Sequence, residues 1–167
     1  MRCENGKACP EIVLRSIAGA FGDRGQPSVV TTSKQLSDLE YEEVMAFSGK
    51  TWDAVTFDMV EQYADAVFWF TPEAFCYYLP GFLVAGLQAD RRDSNAYDAL
   101  IGMLDRSAEP AYWDEFFLER WPLLSADELD AVALWMRWFE EPGVFFPNTF
   151  ERVQETLALL KQKRTGS

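Results

Sequence analysis

The fold is decided by one stretch, Thr71-Pro72-Glu73-Ala74-Phe75-Cys76-Tyr77-Tyr78-Leu79-Pro80-Gly81-Phe82-Leu83. Thr71 can cap the free N–H groups of a helix and Pro72 fits the first helical position, so a helix begins here. Pro80 has no N–H to donate to the carbonyl of Cys76, which predicts a kink. Apolar residues continue on both sides of the break without a capping residue between them. The sequence therefore predicts one bent, buried helix that extends from Pro72 to Ala89.

Helical signals continue on both sides of this stretch. Capping boxes, in which Ser or Asn precedes Glu by three residues, are predicted at Ser37, Ser125 and Asn148. Apolar residues recur at helical spacing between the Gly and Pro breaks, and the β-prone run 29–32 is too isolated to build a sheet. The predicted helices cover residues 10–21, 38–47, 57–70, 72–89, 94–104, 111–119, 126–140 and a last one that follows Asn148. This pattern predicts an all-α fold, a single compact multi-helix domain over residues 1–167, with the kinked helix at its centre and flexible ends at 1–9 and 162–167.

Composition limits the class of protein. Hydrophobic residues make up 49% of the 167 residues and aromatic residues 15%, which excludes a disordered chain and predicts a large core. No apolar run reaches the roughly 18 residues that a membrane span needs, and no apolar segment follows the N-terminus as it would in a secretory signal. We therefore expect a cytoplasmic protein without a membrane partner.

Cysteine and histidine content bears on chemistry. The chain has three cysteines, Cys3, Cys9 and Cys76, and no histidine, so His-based nucleophile systems and zinc sites are excluded. We expect unpaired, reduced thiols with Cys76 in the core, a Cys3–Cys9 disulfide being the alternative. The acidic pair Glu61 and Asp65 has the spacing of one helix face, which a solvated surface also shows. The expectation is a protein that is not an enzyme and needs no cofactor or metal.

The charge points to a class of partner. The formal net charge is −12, from 27 acidic and 15 basic residues, and the acidic residues are concentrated in two segments, 36–65 and 109–141. Such a field repels nucleic acid and anionic membranes and attracts basic proteins, although solubility alone would also explain it. The residues predicted to bind a partner are Glu40, Glu42, Glu43, Asp53, Asp58, Asp114, Glu115, Asp127 and Asp130.

Aromatic residues leave two interpretations open. Trp69, Tyr77 and Tyr78 could line a pocket for a small molecule or a peptide, although aromatic runs at helical spacing are usually core. Trp135 and Trp138 lie off the main apolar stripe of their helix. That helix is therefore either central to the bundle or presents an aromatic patch to a partner.

Three short motifs carry a resemblance. They are Gly49-Lys50-Thr51-Trp52, the helix start Thr71-Pro72-Glu73-Ala74-Phe75 and the kink Tyr78-Leu79-Pro80. Together they resemble a family of small bacterial proteins of uncharacterised function, over roughly residues 10–139. The resemblance implies a compact helical domain and suggests a connection with toxin systems, in which a small immunity protein neutralises a toxin.

These observations lead to one expectation and two alternatives. We expect a non-enzymatic, acidic immunity protein that neutralises a cognate basic toxin domain by protein–protein contact. The alternatives are a small-molecule or peptide sensor with an aromatic pocket, and an enzyme that relies on carboxylates converging in a cleft.

Overall fold

The computed structural model describes residues 7–141 and 143–165, and these residues form eight α-helices joined by loops and short 3-10 turns. Over these ranges the chain contains no β-strand, which confirms the predicted all-α fold. No helix in the same ranges is both long enough and apolar enough to cross a membrane. The helices are α1 (Pro10–Phe21), α2 (Asp38–Met45), α3 (Phe57–Gln62), α4 (Pro72–Ala89), α5 (Asn95–Leu104), α6 (Glu115–Arg120), α7 (Ala126–Phe139) and α8 (Thr149–Thr165).

The chain groups into two compact units. One comprises residues 23–100, and the other comprises residues 1–22 together with 101–167. The single domain remains a prediction. The predicted flexible ends fall partly outside the described ranges, and residues 162–165 continue helix α8.

Helix α4 forms the core of the unit 23–100. Its start is as predicted, because the Thr71 hydroxyl accepts a hydrogen bond from the Ala74 N–H at 3.1 Å. Pro80 lies inside a continuous helix, and every side chain from residue 74 to residue 83 is buried. The prediction of one buried helix with an internal proline is therefore confirmed. The rings of Tyr78 and Phe82 on α4 pack against those of Phe47 and Phe70, which lie outside the helix.

The prediction of a single helix over residues 57–70 is wrong. Helix α3 ends at Gln62, Tyr63 leaves the helical conformation with φ −118° and ψ 36°, and a 3-10 turn follows at Ala64–Phe68. That turn packs against α2, and the local spacing of apolar residues does not encode such a contact. Helix α2 also ends earlier than predicted, at Met45.

The segment predicted as a helix over 111–119 is also divided. A 3-10 turn at Pro110–Tyr112 precedes α6. Helix α6 begins after Asp114 because the Asp114 carboxylate accepts a hydrogen bond from the Phe117 N–H at 2.8 Å. The prediction overlooked this aspartate as a helix cap.

In the other unit, helix α7 packs against both α1 and α8. Trp135 is fully buried and Trp138 is 2% exposed, so α7 is a central helix and the alternative of an aromatic interface patch is wrong. The predicted capping box of Ser125 and Glu128 is present. Asn148, in contrast, adopts a left-handed backbone with φ 69°, unlike the extended conformation of the capping residues Ser37 and Ser125.

The cysteines depart in part from the prediction. Cys76 is buried and is not disulfide-bonded, as expected of a core residue. Cys9 is disulfide-bonded, so the expectation of an unpaired thiol is wrong there. Cys3 lies outside the described residues.

Candidate functional site

The most exposed helix of the unit 23–100 is α2. Val44 is its one buried residue, whereas Leu39 is 66% exposed and Tyr41 is 50% exposed. The 3-10 turn at Ala64–Phe68 packs against α2 and contributes Phe68, which is 45% exposed. We call α2 together with this turn the α2 surface. Large side chains of this kind could be buried by a partner.

Acidic side chains accompany these apolar ones. Asp38 and Glu42 are exposed and Glu43 is half-buried on α2, and the 3-10 turn contributes the exposed Asp65. None of the four forms an ion pair with any residue that the structure describes. Their charge is therefore available to a ligand.

The charge of the whole unit strengthens this effect. Residues 23–100 contain thirteen acidic and five basic side chains, a formal net charge of −8 out of the −12 of the chain. A surface in such a field attracts basic proteins and repels acidic ones. The α2 surface therefore combines apolar anchors with a negative potential.

Several of the predicted binding acids already have structural roles. Glu40 accepts a hydrogen bond from the Ser37 N–H at 2.6 Å and completes the capping box of α2. Asp53 accepts a hydrogen bond from the Thr51 hydroxyl. Asp130 forms an ion pair with Lys161 at 2.8 Å. These three carboxylates are less available than their exposure suggests.

Asp114 also has a structural role. Besides capping α6, it forms an ion pair with Arg106 at 2.8 Å. The hydrogen bond from the Phe117 N–H and, after it, the Arg106 guanidinium hold the pKa of Asp114 below its usual range. Its carboxylate therefore stays ionised and bonded within the protein.

Five residues of the predicted set remain, namely Glu42, Glu43, Asp58, Glu115 and Asp127. Only Glu42 and Glu43 lie on the α2 surface, whereas Asp58 lies on α3, Glu115 on α6 and Asp127 on α7. Sequence reasoning missed Leu39, Tyr41, Asp65 and Phe68. Of these, the exposed position of Leu39 could have been recognised from helical spacing, because Leu39 lies on the side of α2 opposite the buried Val44.

The predicted pocket residues Tyr77 and Tyr78 form hydrogen bonds with the backbone of a neighbouring turn, residues 47–52. The Tyr78 hydroxyl shares its proton between the carbonyls of Phe47, at 2.6 Å, and Lys50, at 2.9 Å. The Tyr77 hydroxyl accepts a hydrogen bond from the Trp52 N–H at 3.3 Å. Burial and the neighbouring Tyr77 raise the pKa of Tyr78 to about 12. Both hydroxyls are thus bound to backbone groups.

Glycines allow this turn, residues 47–52, to approach α4 closely. A Cβ at position 81 would lie 2.5 Å from the Trp52 carbonyl oxygen, so only glycine fits there. Gly49 has φ 77°, a conformation that glycine adopts without strain. The Gly-Lys-x-Trp motif and the Tyr-Tyr-Leu-Pro-Gly motif are therefore the two sides of one contact.

The third predicted pocket residue, Trp69, is half-buried, and its carbonyl accepts a hydrogen bond from the Thr31 hydroxyl at 2.7 Å. Tyr77 is 3% exposed and Tyr78 is 1% exposed. A ligand at these rings would have to displace the turn 47–52. The aromatic pocket remains a prediction.

The acidic pair Glu61 and Asp65 does not share a helix face, because α3 ends at Gln62 and Asp65 lies in the following 3-10 turn. Glu61 forms an ion pair with Arg91, whose guanidinium lies 4.4 Å from the centre of the Phe57 ring. Within the described ranges, no three Cys, Asp or Glu side chains group together as metal ligands could.

The contact between the turn 47–52 and α4 lies within a region that matches a known family. The model of a family of unknown function, DUF6714, matches residues 13–142. The chain belongs to this family. The DUF6714 match begins within α1 and stops before α8, so α8 lies outside it. No curated protein and no solved structure matches the chain.

Proposed function

We propose that this DUF6714 protein is a non-enzymatic binding protein of the immunity type, which captures a basic bacterial toxin domain in the cytoplasm and blocks it by contact. One observation carries the proposal. On the α2 surface, four acidic side chains that form no ion pair with any described residue accompany the exposed Leu39 and Tyr41.

The two kinds of side chain would have different tasks. The carboxylates would speed encounter with a basic partner, and steered association reaches about 10⁸–10⁹ M⁻¹s⁻¹ at low salt. Leu39, Tyr41 and Phe68 would hold the complex, because buried apolar and aromatic anchors contribute most of the binding energy of an interface. The association rate should therefore fall with added salt, while the dissociation rate depends mainly on the apolar side chains.

Co-expression with the product of the adjacent gene tests the proposal. Cells that make this product alone should die, and cells that also make the present protein should survive. The purified pair should form a complex whose affinity can be measured by calorimetry. Survival of cells with the neighbouring product alone would argue against an immunity role.

A pair of matched variants locates the surface. Glu42→Lys reverses one charge on the α2 surface, and Glu155→Lys makes the same change on the exposed side of α8. Glu42→Lys should weaken the complex about tenfold or more, mostly through the association rate, whereas Glu155→Lys should change it less than threefold. Equal losses from both variants would show that net charge alone, rather than the α2 surface, attracts the partner.

A further inference from the structure

A small cavity lies between the end of α7 and the start of α8, in a part of the chain that the proposed function does not use. Its volume is about 170 Å³. Drug-sized ligands occupy pockets of roughly 300–1,000 Å³, so this one suits the head group of a single side chain or a small organic ion. Three aromatic rings and three carboxylates line it, those of Phe145, Phe146, Phe150, Glu140, Glu141 and Glu151.

Two of the aromatic rings that line the cavity are nearly perpendicular to each other. The rings of Phe145 and Phe150 lie 5.4 Å apart at an interplanar angle of 85°. Phe150 is 9% exposed and therefore fixed in the core, whereas Phe146 is 86% exposed. The perpendicular rings pack edge to face against each other, so the exposed Phe146 is the ring that offers its faces most fully to a ligand that enters from solvent. Aromatic faces attract cations.

The carboxylates that line the cavity also favour the binding of a cation. Glu140 and Glu141 directly follow α7, where the negative end of the helix dipole makes acidic side chains unfavourable. Glu151 lies in the first turn of α8 and offsets the positive end of that helix. A cation in the cavity would offset the unfavourable charge of Glu140 at the end of α7 and face the rings at the same time.

The protein uses cation–aromatic contacts elsewhere but not here. Arg120 lies 3.8 Å from the centre of the Phe116 ring, and Lys163 lies 5.3 Å from the Trp113 ring. Among the residues that the structure describes, no Lys or Arg lies over the rings of Phe145, Phe146 or Phe150. No cation from the described part of the chain therefore occupies the aromatic faces of the cavity.

We propose that this cavity binds the head of an organic cation, an alkylammonium or a guanidinium group. The group could belong to a Lys or Arg side chain of a protein or to a free amine, and the chemistry of recognition is the same for both. The site is independent of the α2 surface, and most of its lining follows residue 142, where the DUF6714 match ends.

Titration of the full chain, monitored by amide NMR spectra, tests the proposal. The probes are N-acetyl-lysine methylamide, N-acetyl-arginine methylamide and tetramethylammonium, each compared with sodium chloride at equal ionic strength. At least one organic cation should give saturable shifts at the amides of residues 140–151. A short lysine-containing peptide that binds more tightly than the free ions would identify a protein side chain as the source, and equal or weaker binding would favour a free amine.

Two variants on the same loop provide the control. Phe146→Ala removes an aromatic wall and should weaken binding by about two- to fivefold, the range of an exposed cation–π contact. Val144→Ala shortens a side chain that is 61% exposed and does not line the cavity, so binding should stay unchanged. Glu140→Gln should weaken binding while leaving the melting temperature equal or higher, a pattern that a purely structural role would not give.

The proposal would be overturned if no organic cation shifted these amides beyond the salt control. Equal weakening by Phe146→Ala and Val144→Ala would overturn it as well. Neither result depends on the partner of the α2 surface.

Discussion

Helix α4 and the α2 surface belong to the same unit, yet their side chains are used in opposite ways. Every residue of α4 from 74 to 83 is buried, and its tyrosine hydroxyls are bound to the backbone of the turn 47–52. On α2 only Val44 is buried, and the acidic side chains form no ion pair within residues 7–141 and 143–165. The segment with the strongest sequence signal thus supports the fold, while the segment with a weak signal faces the solvent.

This contrast explains why the motifs do not reveal a function. Gly81 allows the Trp52 carbonyl to approach, Gly49 supplies a positive φ, and Tyr78 binds two carbonyls of the turn. These three residues are therefore accounted for by the contact between α4 and the turn. A chemical role for the same residues would need groups that remain free.

The largest effect should come from Gly81→Val. A Cβ there meets the Trp52 carbonyl oxygen at 2.5 Å and the side chain of Val55 at 2.9 Å, so the turn 47–52 has to move away from α4. We expect a loss of about 3 kcal/mol in the free energy of unfolding, measured by urea denaturation.

Gly19→Ala is the matched control for Gly81→Val. Gly19 also lies in a helix, α1, but apart from its chain neighbours and the backbone of its own helix no described atom lies within 4 Å of the position that its Cβ would take. Alanine there should stabilise the protein by about 0.5–1 kcal/mol, because glycine is a poor helix former. No loss of stability from Gly81→Val would contradict the contact described for α4, and a loss from Gly19→Ala would contradict the open space described around Gly19.

Tyr78→Phe should have the next largest effect. The variant keeps the ring in its aromatic cluster and removes the hydroxyl that binds the carbonyls of Phe47 and Lys50. Because both carbonyls lose a partner, we expect a cost of about 1–3 kcal/mol in the same denaturation experiment. Hydrogen exchange at residues 47–52 should rise more than elsewhere. Uniform loss of protection would mean that Tyr78 supports the core in general and not this turn.

The pH dependence of stability should reveal the same hydroxyl. Burial raises the pKa of Tyr78 to about 12, so the folded state holds this proton more tightly than the unfolded state, where the pKa is about 10. The resulting stability is fully present below pH 10 and is lost as the pH rises toward 12. Urea midpoints should therefore fall over this range, less steeply in Tyr78→Phe than in the parent protein. Parallel curves would show that other groups cause the alkaline loss.

The sequence predicted those features whose cause is local. The caps at Thr71, Ser37 and Ser125 and the continuity of α4 through Pro80 follow from residue chemistry within one or two turns of a helix. The end of α3 at Gln62 does not follow from local residue chemistry. It depends on a turn that packs against a helix about twenty residues earlier in the chain.

The candidate site was predicted only in part for a similar reason. The number of charged residues can be read from the sequence, but the sequence does not show which carboxylates are bound within the protein. Asp114 and Asp130 are paired with Arg106 and Lys161, partners that lie eight and thirty-one residues away. Glu42 has no such partner among the described residues, and only the fold distinguishes it from the other two.

The smallest effect on stability should come from the double variant Glu42→Lys and Glu43→Lys. Within the part of the chain that the structure describes, the two side chains form no ion pair, and they lie in the middle of a short helix in a unit whose net charge is −8. Reversing them removes repulsion from the field of the unit and breaks no bond that the structure describes, so stability should change by at most about 0.5 kcal/mol. The same variant should weaken binding to the proposed basic partner by more than tenfold, since two attractive charges become repulsive. Thermal denaturation and calorimetry on one preparation measure both quantities. A large loss of stability would mean that the α2 surface is part of the core, as α4 is, and the contrast between the two regions would fail.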